Sequence, residues 1–197
     1  MTRPALTLSR RNAWRLAKPM APALASKAAT DLERAALDAL LGLTGPALRV
    51  DWVELAFNSR FGGRFKLPGT YGALYAALTQ PVALAEAAHN WGKTYASSAR
   101  WHPPGTRLLL TILRLKVTGA FLDVRKGHPA LHDPASHAAS QAFGLKAQME
   151  GWDGIAYRSV RARGTCVVAF RRTVPVSCEE AGRVFLVWDG AAFTPEA

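Results

Sequence analysis

The stretch from Gly62 to Trp91, GGRFKLPGTYGALYAALTQPVALAEAAHNW, constrains the fold most, because it dictates three local structures in immediate succession. Ser59 to Gly69 holds three glycines, two arginines, a lysine and a proline, a composition that reads as a loop. Gly72 to Leu78 alternates as a strand does, with Leu74, Ala76 and Leu78 facing one way and Tyr75 the other. Pro81 at a first helical position and Gly92 just past the end bracket a helix over 81–91, with Leu84, Ala88 and Trp91 as its packing stripe. After Lys66 the only charge in this stretch is Glu86, about 200° around the helix from Leu84. That carboxylate needs a physical explanation.

The flanking chain fits an α+β domain. Thr30 to Leu43 has helical spacing and is ended by Gly42, Gly45 and Pro46, so a domain start near Ala47 follows. Leu48 to Phe57 reads as a strand, as do Leu108 to Val117, with Leu109, Leu113, Leu115 and Val117 on one face, and Ala120 to Val124. His128 to Pro134 is a loop, and Asp133 followed by Pro134 caps a helix with Ala138, Ala142, Leu145 and Met149 on one side. Ile155 to Val160, Cys166 to Phe170 and Val184 to Trp188 complete the strands. Strands grouped early and late, with helices between, point to a mixed sheet with flanking helices over residues 47–197. Residues 1–46 read as a basic, partly helical N-terminal extension, since the first 30 carry six basic side chains and no acid.

Charge enters where the partner is in question. Twenty-five basic against 14 acidic residues give a formal charge of +11, which attracts nucleic acid, an acidic protein or a phosphorylated small molecule alike. Two cysteines, Cys166 and Cys178, read as free thiols in a reducing compartment. No apolar run approaches the roughly 20 residues that cross a bilayer. A cytoplasmic, soluble protein without a secretory signal is the expectation.

Several residues carry possible chemistry. The positions four away from Glu86 are Val82 and Asn90, so no salt bridge within the helix accounts for it, although an exposed glutamate stays open. Glu86 and His89 form one E-x-x-H pair without a second copy, and prolines 129 and 134 break the alignment of His128, His132 and His137, so no metal site is expected. Arg64 follows two glycines, with Arg60 and Lys66 nearby. Such a loop can clamp a pyrophosphate, because glycine lets backbone approach and guanidinium grips two oxygens; a basic turn is the plainer reading. Neither G-x-G-x-x-G nor a Walker loop occurs. Tyr157 and Ser159 share a strand face with Ile155, and with no histidine assigned as its base Ser159 suits hydrogen bonding better than attack.

Taken together, GGRF, LPGTYGALYAAL, ALAE and GWDGIAYRSVRARG resemble the RES domain family over roughly Ala47 to Phe170. Arg64 to Tyr75 and Tyr75 to Glu86 are each 11 residues apart (75 − 64 and 86 − 75), in keeping with the family's order, and Gln141 and Gly144 also fit. The resemblance implies an ADP-ribosyltransferase-like fold and the toxin of a bacterial type II toxin-antitoxin pair. Such toxins consume NAD by breaking its nicotinamide-ribose bond, as glycohydrolase or phosphorylase, and some transfer ADP-ribose to protein. Their partners are Xre-type DNA-binding antitoxins that cover the active site, so nucleic acid is met only through that complex.

By the same resemblance Glu86 stabilises the oxocarbenium-like ribose or orients water, Arg64 holds the pyrophosphate, Tyr75 stacks on nicotinamide, and Ser159 fixes ribose or the carboxylate. Arg60 is a second phosphate ligand, and Tyr157 joins the NAD-binding set. Phe65 and Lys66 replace a common Trp and Asn, and Thr165 or Cys166 replaces a common Asn. A non-catalytic, basic nucleic-acid-binding module is the rival from another class, favoured by Arg158, Arg161, Arg163, Arg171 and Arg172.

Overall fold

A computed structural model describes residues 4–18 and 52–196. Its elements run β1 (Ala5–Ala17), α1 (Trp52–Asn58), β2 (Leu74–Ala77), α2 (Gln80–Ala96), β3 (Arg107–Asp123), α3 (Ala138–Met149), β4 (Gly154–Arg158), β5 (Thr165–Ala169), β6 (Pro175–Trp188) and β7 (Phe193–Pro195). The strands form one sheet in the order β1-β2-β5-β4-β3-β6-β7, with β3 parallel to β4 and the other pairs antiparallel. The class is α+β, as expected from the strand and helix pattern.

The pairing closes on itself. β1 runs against β3 from Ala5↔Leu122 to Ala17↔Thr111 and meets β2 at Trp14↔Ala77, which joins β1, β2, β5, β4 and β3 into a ring. Alternation along these strands buries two faces separately. One gathers Ala13, Leu74, Ala76, Leu113, Leu115, Val117 and Val167 with Ala56 and Phe57 of α1. The other sets Ala77, Ile155, Tyr157 and Val168 against Val82 and Ala83 of α2, Ala147 of α3, and Phe65. Farther along, Leu108, Leu110 and Trp188 lie beneath Tyr95, with Leu84, Ala88 and Trp91 of α2 packed alongside. Each buried Leu, Val or Phe is worth about 1.5–3 kcal/mol, and a one-residue slip would turn every strand side chain to the wrong face. Register is therefore tightly fixed.

The structure departs from the sequence reading at several elements. The supposed basic extension supplies β1, a strand of the main sheet. The helix expected over Thr30 to Leu43 lies outside the described residues. Leu48 to Phe57 is not a strand where it is described: Trp52–Asn58 is helical, because Trp52, Val53, Ala56 and Phe57 put an apolar stripe on one helix face against the sheet. Gly92 does not end α2, which continues to Ala96; Gly92 is buried, and a Cβ there would lie 3.7 Å from the Trp188 ring. Leu108 to Val117 and Ala120 to Val124 are one strand, and Leu109 is less buried than the rest of its face. Asp133 does not cap α3. Its Oδ1 accepts from the N–H groups of Ala135 and Ser136 in a separate turn, and α3 starts at Ala138. The buried side of α3 is Ser140, Gly144 and Ala147, leaving Ala138, Ala142 and Met149 exposed.

Candidate active site

The loop before β2 is held rigidly. Tyr75 projects from β2 so that its hydroxyl oxygen accepts from the Phe65 N–H at 3.0 Å, and the Gly63 N–H donates to the Lys66 carbonyl at 2.9 Å. Gly63 is required here, because a Cβ would sit 2.7 Å from the Tyr75 hydroxyl. From α3, Gln141 Nε2 donates to the Gly63 carbonyl at 3.1 Å. Arg64 is buried, and its Nη1 donates to the carbonyls of Leu131 at 3.1 Å and Asp133 at 2.9 Å. That pins the Pro129–His132 turn to the loop. Lys66 is fully buried, its Nζ donates to the Ser59 carbonyl, and burial pushes its pKa down.

Across from the loop, α2 presents Glu86. Ser159 lies just past the end of β4, and its Oγ donates to Glu86 Oε1 at 2.6 Å. The same Oγ accepts from the N–H groups of Arg161 at 3.0 Å and Ala162 at 3.1 Å. With its hydrogen directed to the carboxylate and two amides on its oxygen, this hydroxyl is a positioning group rather than a nucleophile. Cys166 of β5 approaches the same Glu86 oxygen at 4.0 Å, and burial together with Glu86 pushes the thiol up to about 12. Burial likewise raises Tyr157, whose ring lies 4.9 Å from that of Phe65, and Tyr75.

These groups surround a cavity of about 420 Å³, within the range of ligand sites. Arg64, Tyr75, Glu86 and Tyr157 line it, and Ser159 joins through its bond to Glu86. Arg60 does not line it; its side chain is exposed, and its carbonyl accepts from the Gly69 N–H. The lining carries Arg15, Arg64, Lys66, Lys93 and Arg161 against Glu86 as its one carboxylate. His89 and His137, also in the wall, are both held below the ordinary histidine range, by burial first and then by nearby cations. Such a wall suits a ligand with concentrated negative charge that places one electron-poor centre at Glu86. Among the described residues no three His, Cys, Asp or Glu side chains gather as a metal site, and no helix is long and apolar enough to cross a membrane.

Sequence reasoning missed part of this wall. Arg15 comes from β1 and donates through Nη1 to the Tyr75 carbonyl at 2.9 Å, although in the sequence it is one of six cations of a basic extension. The period-two pattern of Leu6, Leu8 and later Trp14, Leu16 was the available signal. Lys93 falls outside a helix bracketed by Pro81 and Gly92, and the structure brings it in by continuing α2 to Ala96. Arg161 reads in the sequence as one of a run of arginines.

The RES domain family model matches residues 46–189. No characterised protein sequence matches significantly. Among solved structures, a chain of the M. tuberculosis MbcT-MbcA toxin-antitoxin complex is similar, with a TM-score of 0.53 and 17% identity over 95% of this chain and 88% of that one. At that identity the likeness concerns the fold. A family match across this much of the sequence, over the segment that supplies most of the cavity wall, means that the chain belongs to the RES domain family.

Proposed function

We propose that this protein is the toxin of a bacterial toxin-antitoxin pair and that it cleaves the nicotinamide-ribose bond of NAD. The observation that carries the reading is the Glu86–Ser159 bond of 2.6 Å at a cavity whose other charged lining residues are all cations. Arg64, with Arg15, Lys93 and Arg161, neutralises the pyrophosphate. Tyr75 and Tyr157 offer apolar faces to the nicotinamide ring. As the C1′–N bond breaks, its electron pair moves onto the pyridinium nitrogen and nicotinamide leaves neutral. No proton donor is needed for that leaving group, which explains why one carboxylate suffices where glycoside hydrolysis commonly uses two. Ser159 fixes Glu86 beside the cationic ribose, and water or phosphate then adds to C1′; water passes its proton to Glu86 and from there to solvent, whereas phosphate adds through an anionic oxygen.

The complex named for the structural neighbour pairs a toxin with an antitoxin, and it supports an antitoxin partner here, of Xre type by family resemblance, seated over the cavity. The test is purified protein with NAD, in phosphate-free buffer, with phosphate, and with a protein extract. Nicotinamide release accompanied by ADP-ribose, a phosphorylated ADP-ribose or labelled protein identifies the acceptor. NAD left intact in all three overturns the reading, whereas full activity in Glu86→Ala leaves NAD cleavage standing and overturns the role of Glu86.

A further inference from the structure

The Glu86-x-x-His89 pair is left over once Glu86 has a role. His89 sits one turn along α2, lines the same cavity, and has an Nε2 that is shielded from solvent with no hydrogen-bond partner. Buried polar atoms are almost always paired, so an orphan nitrogen beside a ligand site asks for a reason. Metal ligation is not that reason, since among the described residues no further His, Cys, Asp or Glu side chains gather to complete a site. Nor is phosphate binding the best fit. Arg161 and Lys93 stand close enough, together with burial, to keep the imidazole below the ordinary histidine value of 6.5 and thus uncharged at neutral pH. A neutral ring nitrogen suits an uncharged group that both donates and accepts.

Helix geometry narrows the choice. Residues three apart on a helix have Cβ atoms about 5–6 Å apart on one face, so what Glu86 and His89 share must be small. A furanose fits between them, its anomeric carbon at the carboxylate and its hydroxyl edge at the imidazole. We propose that His89, turning its imidazole toward the cavity, binds a hydroxyl of the ribose whose C1′ carries the scissile bond, its Nε2 gaining there the partner that the protein does not supply. This rests on the NAD-cleaving reading and adds a substrate-binding residue to it. Because the contact is to the reacting sugar and not to the adenylate half, its loss weakens the approach to C1′ more than overall affinity.

The test combines variants with a spectroscopic probe of ADP-ribose binding. In His89→Gln the side-chain amide nitrogen reaches the place of Nε2, whereas in His89→Asn it reaches only that of Nδ1. With thermal unfolding confirming folded protein, kcat/KM for NAD is expected to fall about tenfold in His89→Ala and His89→Asn, the loss typical of one hydrogen bond, and to return within about threefold in His89→Gln. Independently, the ¹⁵N resonance of His89 Nε2 in otherwise intact protein is expected to shift on saturation with ADP-ribose. Wild-type cleavage with full activity in His89→Ala, or with no rescue by Gln, overturns the assignment and leaves NAD cleavage standing. An Nε2 shift in a protein that leaves NAD intact overturns the reaction and keeps the ribose contact. Neither cleavage nor shift overturns both.

Discussion

Ser159 Oγ donates to Glu86 Oε1 at 2.6 Å, joining the residue after a strand end to the middle of a helix 73 positions earlier. The bond holds one carboxylate oxygen, and the two amides of Arg161 and Ala162 hold the hydroxyl in turn. Ser159→Ala removes the donor and leaves both amides without their acceptor, a change of about 1–3 kcal/mol. Nicotinamide release is expected to lose about tenfold or more in kcat with KM little changed, and the urea midpoint is expected to fall. A variant with normal kcat would detach Ser159 from the reaction.

The parts of this site legible in the sequence are those carried by strong local signals. Alternation places Tyr75 opposite Leu74 and Ala76, which holds in the sheet; it also puts Tyr157 and Ser159 on one strand face, whereas β4 ends at Arg158 and Ser159 reaches Glu86 from the residue beyond it. Glu86 stood out because no charge four residues away explained it. What was illegible depends on contacts between distant segments. Arg15 looks like one of many N-terminal cations until β1 pairs with β3 and β2. Arg64 reads as a phosphate clamp or a basic turn, yet it is buried and donates to two carbonyls of a turn nearly 70 residues later. Gly92 carries the ordinary mark of a helix end, and only Tyr95, buried in the next turn against Trp188 and Phe193 more than 90 residues on, shows why the helix continues.

Gly144 of α3 sits against the backbone of the loop that carries Arg64, and a Cβ there would lie 2.1 Å from the Phe65 carbonyl oxygen. Backbone cannot yield as a side chain does, so Gly144→Ala pushes helix and loop apart. Overpacking of this kind costs about 1–3 kcal/mol, and the Gln141 bond to Gly63 is stretched with it. The expected result is a lower urea midpoint together with reduced nicotinamide release under conditions where the protein stays folded. An unchanged midpoint would show that the contact relaxes freely.

Arg15 tests whether β1 belongs to the working site, because the family match begins only at residue 46. If its charge meets the pyrophosphate, Arg15→Ala is expected to raise KM for NAD about 10-fold or more, since hydrogen bonds to charged groups are worth about 1.5–3 kcal/mol. Arg15→Lys keeps the charge and is expected to recover part of the loss. Initial rates over a range of NAD concentrations decide it. A KM that does not move would confine Arg15 to holding the Tyr75 carbonyl.

Alkaline pH provides a test of the buried acids. Burial raises Tyr71 from 10.0 to about 12 and Cys166 from 9.0 to about 12, and it raises Tyr75 and Tyr157 as well. In the unfolded chain these groups release their protons near 9 to 10, while burial in the fold holds them to higher pH. Over that window the unfolded state binds fewer protons, so stability that is complete below pH 9 is lost as pH rises, by at most about 1.4 kcal/mol per group and pH unit. Lys66 works in the opposite sense, because burial lowers its pKa from 10.5 and the unfolded amine holds its proton longer. One depressed amine does not offset four raised acids. Urea midpoints at pH 7.5, 9 and 10.5 are expected to be level over the first interval and to fall over the second. Tyr71→Phe is expected to make that fall shallower; an equal slope in the variant would show that Tyr71 does not hold its proton more tightly in the fold.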